Sequence, residues 1–262
     1  MLRKNKPFSQ PCSQRIFMRR FFLSFLIYVC FTTNSTAYQS TPQNLKSLEA
    51  AQKARTRLHQ LLKRKQLSIG SPIYIRIFKH ERLLEMWMKN SSGTFTLLKS
   101  YMICHNSGSL GPKEKEGDLQ SPEGFYKVSA NQLNPESKYH LSFNLGYPNE
   151  YDLYYDRTGS ALMVHGRCSS VGCFAMTDYF MDEIYSLADA ALAHGQESFD
   201  VHIFPFRYEE NGLPSIAGTY PKWHTFWLDL WEGYRLFEIY RSVPEVTVSN
   251  GRYSCTMPSA ER

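Results

Sequence analysis

Between Ile73 and Phe206 the chain runs as short β-branched and aromatic segments separated by clusters of Gly, Pro, Asn and Ser. Only one long amphipathic pattern interrupts them. This punctuation excludes an all-helical bundle and constrains the middle of the chain to short strands and structured loops. Ile73–Phe78, Leu83–Met88 and Phe95–Cys104 read as a three-strand meander, with a turn through Asn90, Ser91, Ser92 and Gly93. A loop rich in Gly, Lys, Glu and Pro follows from Gly108 to Gly124, and Phe125–Val128 resumes a strand. Residues 131–160 read as a long structured loop, Ser160–His165 as a short strand and Val201–Phe206 as another, closed by Pro205. The helical interruption spans about Thr177 to His194: Thr177 suits the N-cap and Asp178 the positive helix end. Met181, Ile184, Tyr185, Ala188, Ala191 and Leu192 share one face, and Gly195 stops the helix.

Two further helices flank this region. Residues 45–67 carry Leu48, Ala51, Arg55, Leu58, Leu61 and Leu62 at helical spacing, after a polar linker at 38–44. Its cations (Lys46, Lys53, Arg55, Arg57, Lys63, Arg64, Lys65) face a single acid, Glu49. That face is either simply solvated or touches an anionic wall or membrane surface. Trp223, Phe226, Trp227, Leu230, Trp231, Tyr234 and Phe237 form an aromatic stripe from Trp223 to about Arg241, read as core packing. The tail from Pro244 carries no signal. The expected division is 1–37 leader, 38–71 linker and basic helix, 72–207 main domain and 208–262 aromatic helical extension.

The formal net charge of +6 belongs to the leader. Arg3, Lys4, Lys6, Arg15, Arg19 and Arg20 lie there with no acid, and the remainder has as many acids as bases. The chain therefore lacks the basic footprint of a nucleic-acid binder. Arg19-Arg20, the apolar run Phe21–Phe31, and Ser35 and Ala37 at the −3 and −1 positions have the three-part form of a secretory signal. The expectation is export to the periplasm with cleavage before Tyr38. The alternative is an uncleaved leader, which would be the chain's only attachment to a membrane.

Chemistry concentrates in Met163-Val-His-Gly-Arg-Cys-Ser-Ser-Val-Gly-Cys-Phe-Ala-Met176. His165 stands eight residues before Cys173, with Ser170 and Gly172 beside that sulfur. A nucleophilic Cys needs a base, and backbone N–H groups aimed at the developing oxyanion. Gly172 permits a tight turn. A helix starting just after Cys173 would add a positive field.

The segment resembles the signature of the L,D-transpeptidase (YkuD-type) catalytic domain: a His-Gly pair, a loop, then Ser-x-Gly-Cys. His165-Gly-Arg-Cys-Ser-Ser-Val-Gly-Cys-Phe-Ala-Met-Thr-Asp178 looks like the YafK-like branch. Gly111 through Tyr126 is similar to the Pro-x-Gly-x-(Tyr/Phe) element that precedes the site, and Val201–Arg207 to the strand after the helix. The resemblance covers roughly residues 72–207. It implies a mostly β (α+β) fold, with a β-sandwich or sheet core, one packed helix, and flanking N- and C-terminal helices. It implies Cys173 as nucleophile and His165 as general base, oriented by the Gly166 carbonyl. Gly172 and Cys173 would supply oxyanion N–H groups, with Ser170 in support. The implied substrate is a peptidoglycan stem peptide, attacked at the L-centre carbonyl of meso-diaminopimelate, without a cofactor or metal. An amine acceptor gives transfer; water gives cleavage, as in an amidase acting on a wall-anchored lipoprotein's linkage. Many members carry His where Val171 stands and Arg where Ala175 stands. This leaves Arg157, Arg167 and Arg207 as candidates to hold a substrate carboxylate, and leaves a non-catalytic wall-binding module as the distant alternative.

Cys104, Cys168, Cys173 and Cys255 remain after the leader. In an exported chain, Cys168–Cys173 or Cys104–Cys168 disulfides are both open. Cys168 is an alternative nucleophile. Cys104, His105, His165, Cys168 and Cys173 supply zinc-type ligands without a paired C-x-x-C spacing. His202 faces either the site or solvent. Lys115, Glu116 and Asp118 form either a solvated hairpin or a substrate lid.

Overall fold

The computed structural model describes residues 40–258 apart from Asn211; the expected leader at 1–37 lies outside them. In chain order the elements are α1 (Leu45–Lys65), β1 (Ile73–Phe78), β2 (Leu83–Lys89), β3 (Phe95–Met102), β4 (His105–Asn106) and β5 (Gly124–Ser129). There follow β6 (Leu133–Asn134), β7 (Ser142–Asn144), α2 (Glu150–Tyr154), β8 (Met163–His165), β9 (Phe174–Ala175), α3 (Asp178–Ala193) and β10 (Ser198–Phe204). The chain finishes with α4 (His224–Tyr240), β11 (Glu245–Ser249) and β12 (Arg252–Thr256). The fold is mixed α+β, as expected.

The meander β1–β2–β3 forms and joins β10 and β5 in a five-stranded sheet of order β3-β2-β1-β10-β5. Its β1–β10 pairing is parallel and its other pairings antiparallel. All six residues of β1 are buried, as expected of a strand covered on both faces. Ile73, Ile75 and Ile77 of β1, with Val201 and Ile203 of β10, enter the main core. Tyr74 and Phe78 point the other way, into aromatic clusters with Phe237 and with Trp227 and Leu230 of α4. The aromatic stripe thus buries itself against the far face of this sheet. Each large side chain so buried contributes about 1.5–3 kcal/mol.

The second sheet, of order β4-β9-β8-β7-β6, is built from strands of two or three residues. Phe143, Val164, Phe174 and Met176 from this region join the main core. α3 shares that core through Met181, Ile184, Tyr185 and Ala188, and α1 adds Ala50, Ala54, Leu58 and Leu62, spaced by four on one face. Asn44 caps α1 by accepting from the Ser47 N–H, and Lys63–Lys65 suit its C-terminal dipole. The tail from Pro244, read above as carrying no signal, forms the β11–β12 hairpin, turning at Asn250-Gly251 and covering Phe125 with Tyr253. Within the 131–160 loop lie β6, β7 and α2.

The 108–124 loop is pinned from beneath by Glu123, which is 0% exposed. Its carboxylate accepts from Gly111 N–H (2.7 Å) and Trp227 Nε1–H (2.8 Å) and pairs with Lys79 at 3.0 Å. Lys79 Nζ also donates to the Gly111 and Ser121 carbonyls. Buried charges persist only with such complete pairing.

Candidate functional site

β8 ends at His165, and β9 begins one residue after Cys173. The two strands run parallel, with Val164 opposite Phe174 and His165 opposite Ala175. Extrapolating that register puts Met163 opposite Cys173. Side chains alternate along a strand, so Cys173 and His165 belong to one face of the β8–β9 ribbon, two positions apart. The Met163 N–H donates to Cys173 Sγ at 3.3 Å, and the thiol lies 3.7 Å from the Ala161 carbonyl. Both candidate groups are nearly enclosed: Cys173 is 8% and His165 2% exposed.

The tautomer of His165 follows from its partner. Nδ1 lies 2.6 Å from the Gly166 carbonyl, which can only accept, so Nδ1 carries the proton and Nε2 keeps its lone pair. The half-exposed Tyr139 ring covers the imidazole at 4.7 Å between centroids. Gly166 has no room for a side chain: a Cβ there would stand 2.7 Å from Asp178 Oδ1 and 2.8 Å from the Tyr139 carbonyl.

Burial pushes the Cys173 thiol above its ordinary value; the Met163 N–H, the Lys113 ammonium and the nearby Ser170 hydroxyl act against burial without overcoming it. Burial likewise lowers the His165 imidazole, with the Gly166 carbonyl acting the other way. Both shifts favour a neutral thiol and a neutral imidazole. Contrary to the sequence expectation, the helix does not begin directly after the sulfur. β9 separates Cys173 from α3, whose first turn is capped by Thr177, and Asp178 accepts from the Arg167 N–H.

Gly172 adopts φ +83°, a region open chiefly to glycine, and its N–H donates to Ser107 Oγ at 2.7 Å. In this state that expected oxyanion donor is occupied. The Cys173 N–H has no hydrogen-bond partner among the described residues. Ser107 in turn donates to the Leu119 carbonyl, while Ser121 Oγ reaches the Cys173 carbonyl at 3.2 Å. Ser170 Oγ is buried without a hydrogen-bond partner among the described residues.

Cys104 and Cys168 form a disulfide with Cα atoms 5.2 Å apart, leaving Cys173 and Cys255 as free thiols. This resolves the open pairings, removes Cys168 as a nucleophile and takes two thiolates out of the zinc-type set. Cys255 lies in the aromatic cluster with α4, where burial pushes it up to about 12.

The three arginines are dispersed. Arg167, exposed and at φ +57°, directly follows Gly166. Arg157 pairs with Asp152 at 2.8 Å beneath aromatic rings, and Arg207 is held by Glu85 on the α4 face of the first sheet. Neither Arg157 nor Arg207 contacts Cys173 or His165 among the described residues. His202 faces neither site nor solvent; it is fully buried, with Nδ1 2.7 Å from Tyr74 Oη. Asp118 is not simply solvated, because it accepts from Lys113 Nζ at 2.6 Å and so holds that cation near the thiol. Sequence reasoning missed Ser107, Lys113 and Tyr139. All three come from segments remote from the His-to-Cys stretch, and only sheet pairing brings them there.

Residues 72–203 match the L,D-transpeptidase catalytic domain family, YkuD. The chain is 46% identical over 194 residues to "Putative L,D-transpeptidase YafK" of Escherichia coli K12, covering 74% of this chain and 78% of that protein. The protein of that name from Escherichia coli O157:H7 matches equally. Among solved structures, the helical cell shape determining protein Pgp2 from Campylobacter jejuni is 21% identical, with a TM-score of 0.41 over 60% of this chain and 57% of that one. Bd1075 of Bdellovibrio bacteriovorus is 21% identical, with a TM-score of 0.36 over 64% of this chain and 58% of that one. This chain thus covers under two thirds of either solved structure. By the extent of the domain match and of the identity to YafK, the chain belongs to the L,D-transpeptidase (YkuD) catalytic-domain family.

Proposed function

We propose that the protein is a peptidoglycan-modifying acyl-transfer enzyme with Cys173 as nucleophile and His165 as base. The observation that carries this reading is the free thiol of Cys173 beside β8, on the ribbon face that the register shares with His165, whose Nδ1–H is committed to the Gly166 carbonyl. Cys173 Sγ attacks the L-centre carbonyl of meso-diaminopimelate in a stem peptide while its proton passes to His165 Nε2. The oxyanion takes the Cys173 N–H, and the Gly172 N–H once Ser107 lets it go. Collapse breaks the C–N bond, the amine leaves with the proton from His165, and a thioester remains. Water or a second amine then gives its proton to His165 and attacks the thioester, regenerating the thiol. An amine acceptor yields a new cross-link; water yields cleavage, including release of a wall-linked lipoprotein. Arg167 is the arginine best placed to meet a substrate carboxylate, being adjacent to Gly166 and exposed.

We place this activity outside the cytoplasm. The Cys104–Cys168 disulfide supports an oxidising compartment. The test is mass spectrometry of products from sacculi with and without bound lipoprotein. Cys173→Ala is expected to lower product formation by about 10³-fold or more while the protein unfolds at the same temperature. Full activity in that variant overturns the assignment, as does binding to sacculi without any product from the parent protein.

A further inference from the structure

A cavity of about 580 Å3, well outside the β8–β9 ribbon, is walled by α2, the start of α4 and the 108–124 loop. This is the size of a small-ligand site. It shares a loop with the thiol residue: Ser121 donates to the Cys173 carbonyl at 3.2 Å, and Glu114 and Lys115 line the cavity. Two of its rings are accessible. Tyr155 on one wall is 48% exposed, and Trp223 on another is partly exposed.

The cations around it are mostly spoken for. Arg157 is paired with Asp152, Lys222 with Glu114 at 2.9 Å, and Arg252 with Asp229. An anion-binding site would leave such charges unpaired. Lys222 Nζ lies over the Trp223 ring at 4.2 Å and the Arg157 guanidinium over the Tyr155 ring at 5.6 Å, so what remains on offer is the exposed part of those rings and N–H donors fixed in place by their carboxylates. This combination suits a neutral ligand carrying both C–H faces and hydroxyl or amide groups, which is the chemistry of a saccharide ring.

We propose that this cavity binds the sugar units of the glycan strand whose stem peptide is presented to Cys173. The sugar class follows from the lining; the link to a strand-borne stem rests on the function proposed above. The two are separable by experiment. Binding of a peptide-free N-acetylglucosamine oligomer to full-length Cys173→Ala protein, followed by tryptophan fluorescence, involves no catalysis. Saturable binding is expected, weakened about tenfold or more by Tyr155→Ala and retained in Tyr155→Phe. The phenylalanine keeps the ring while deleting the hydrogen bond from Tyr155 to the Gly251 carbonyl, so equal loss in both variants would overturn the proposal. So would absence of saturable oligomer binding, or binding of an acidic peptide in its place. In the active protein, Tyr155→Ala should raise KM for strand-borne stems about tenfold more than for released stem peptide. Equal changes on both substrates count against the cavity as a glycan subsite. Sugar binding without any turnover would sink the proposed reaction while leaving the cavity's assignment standing.

Discussion

The two sheets share one core but are held together differently. The β3-β2-β1-β10-β5 sheet has strands of six to eight residues, and its buried Arg76 and Glu85 are fully paired. Arg76, 1% exposed, meets Glu85 at 2.8 Å and Glu238 at 2.6 Å, and Glu85 also accepts from Trp87 Nε1–H and Arg207. The β4-β9-β8-β7-β6 sheet has strands of two or three residues. Side chains (Ser107, Ser121) and the Cys104–Cys168 disulfide supply ties its short ladders do not. Beside it lie Ser170 Oγ, the Cys173 N–H and the His165 Nε2 lone pair, without a hydrogen-bond partner among the described residues; on the first sheet His202 Nε2 is left likewise. Saturated pairing suits a sheet that only has to persist. A sheet that is to receive a substrate must keep donors and a lone pair available, and it needs fastening by other means.

The sharpest way to break this contrast is to cut into each sheet. Glu85→Ala leaves Arg76 buried with half its partners and should cost about 3–5 kcal/mol in urea unfolding. Alkylation of Cys173 in the molecules that remain folded should be unchanged. Altered thiol reactivity at full foldedness would show that the sheets are not independent in this sense. Replacing the disulfide by Cys104→Ser with Cys168→Ser should cost less, about 2–4 kcal/mol, yet lower activity more, because Cys168 anchors the loop carrying Ser170 and Gly172. Undiminished activity in that double variant would remove the disulfide from the site's support.

The smallest effect is a pH profile. Burial lowers His165, so the imidazole stays neutral, and competent as a base, to below its ordinary value near 6.5. Burial raises the thiol above 9.0, so it stays protonated well into the basic range. The acylation rate should therefore rise with an apparent pKa below 6.5 and remain flat to about pH 9. A fall centred near pH 8 would indicate a thiolate–imidazolium pair instead.

Periodicity and punctuation were enough to mark the meander, α1, α3, α4 and the short strand ending at His165, because these signals act within about ten residues. They pointed to Thr177 as the α3 cap, and the aromatic stripe of α4 was legible as packing. The β11–β12 hairpin was legible but missed: Val246, Val248, Tyr253 and Cys255 alternate with polar residues on either side of Asn250-Gly251, both at positive φ as a two-residue hairpin turn requires.

The sequence by itself determined the meander, the three long helices, the family resemblance and the eight-residue separation of His165 and Cys173; the parallel β8–β9 pairing then put them on one face. Tertiary structure decided that Cys104 takes Cys168, that Ser107 occupies the Gly172 N–H, and that Arg157 and Arg207 serve other carboxylates. It also closed the aromatic cavity between α2 and α4. Apart from Arg157–Asp152, five residues apart, those contacts join segments distant in the chain, and sheet order, which no local pattern encodes, sets which of them meet.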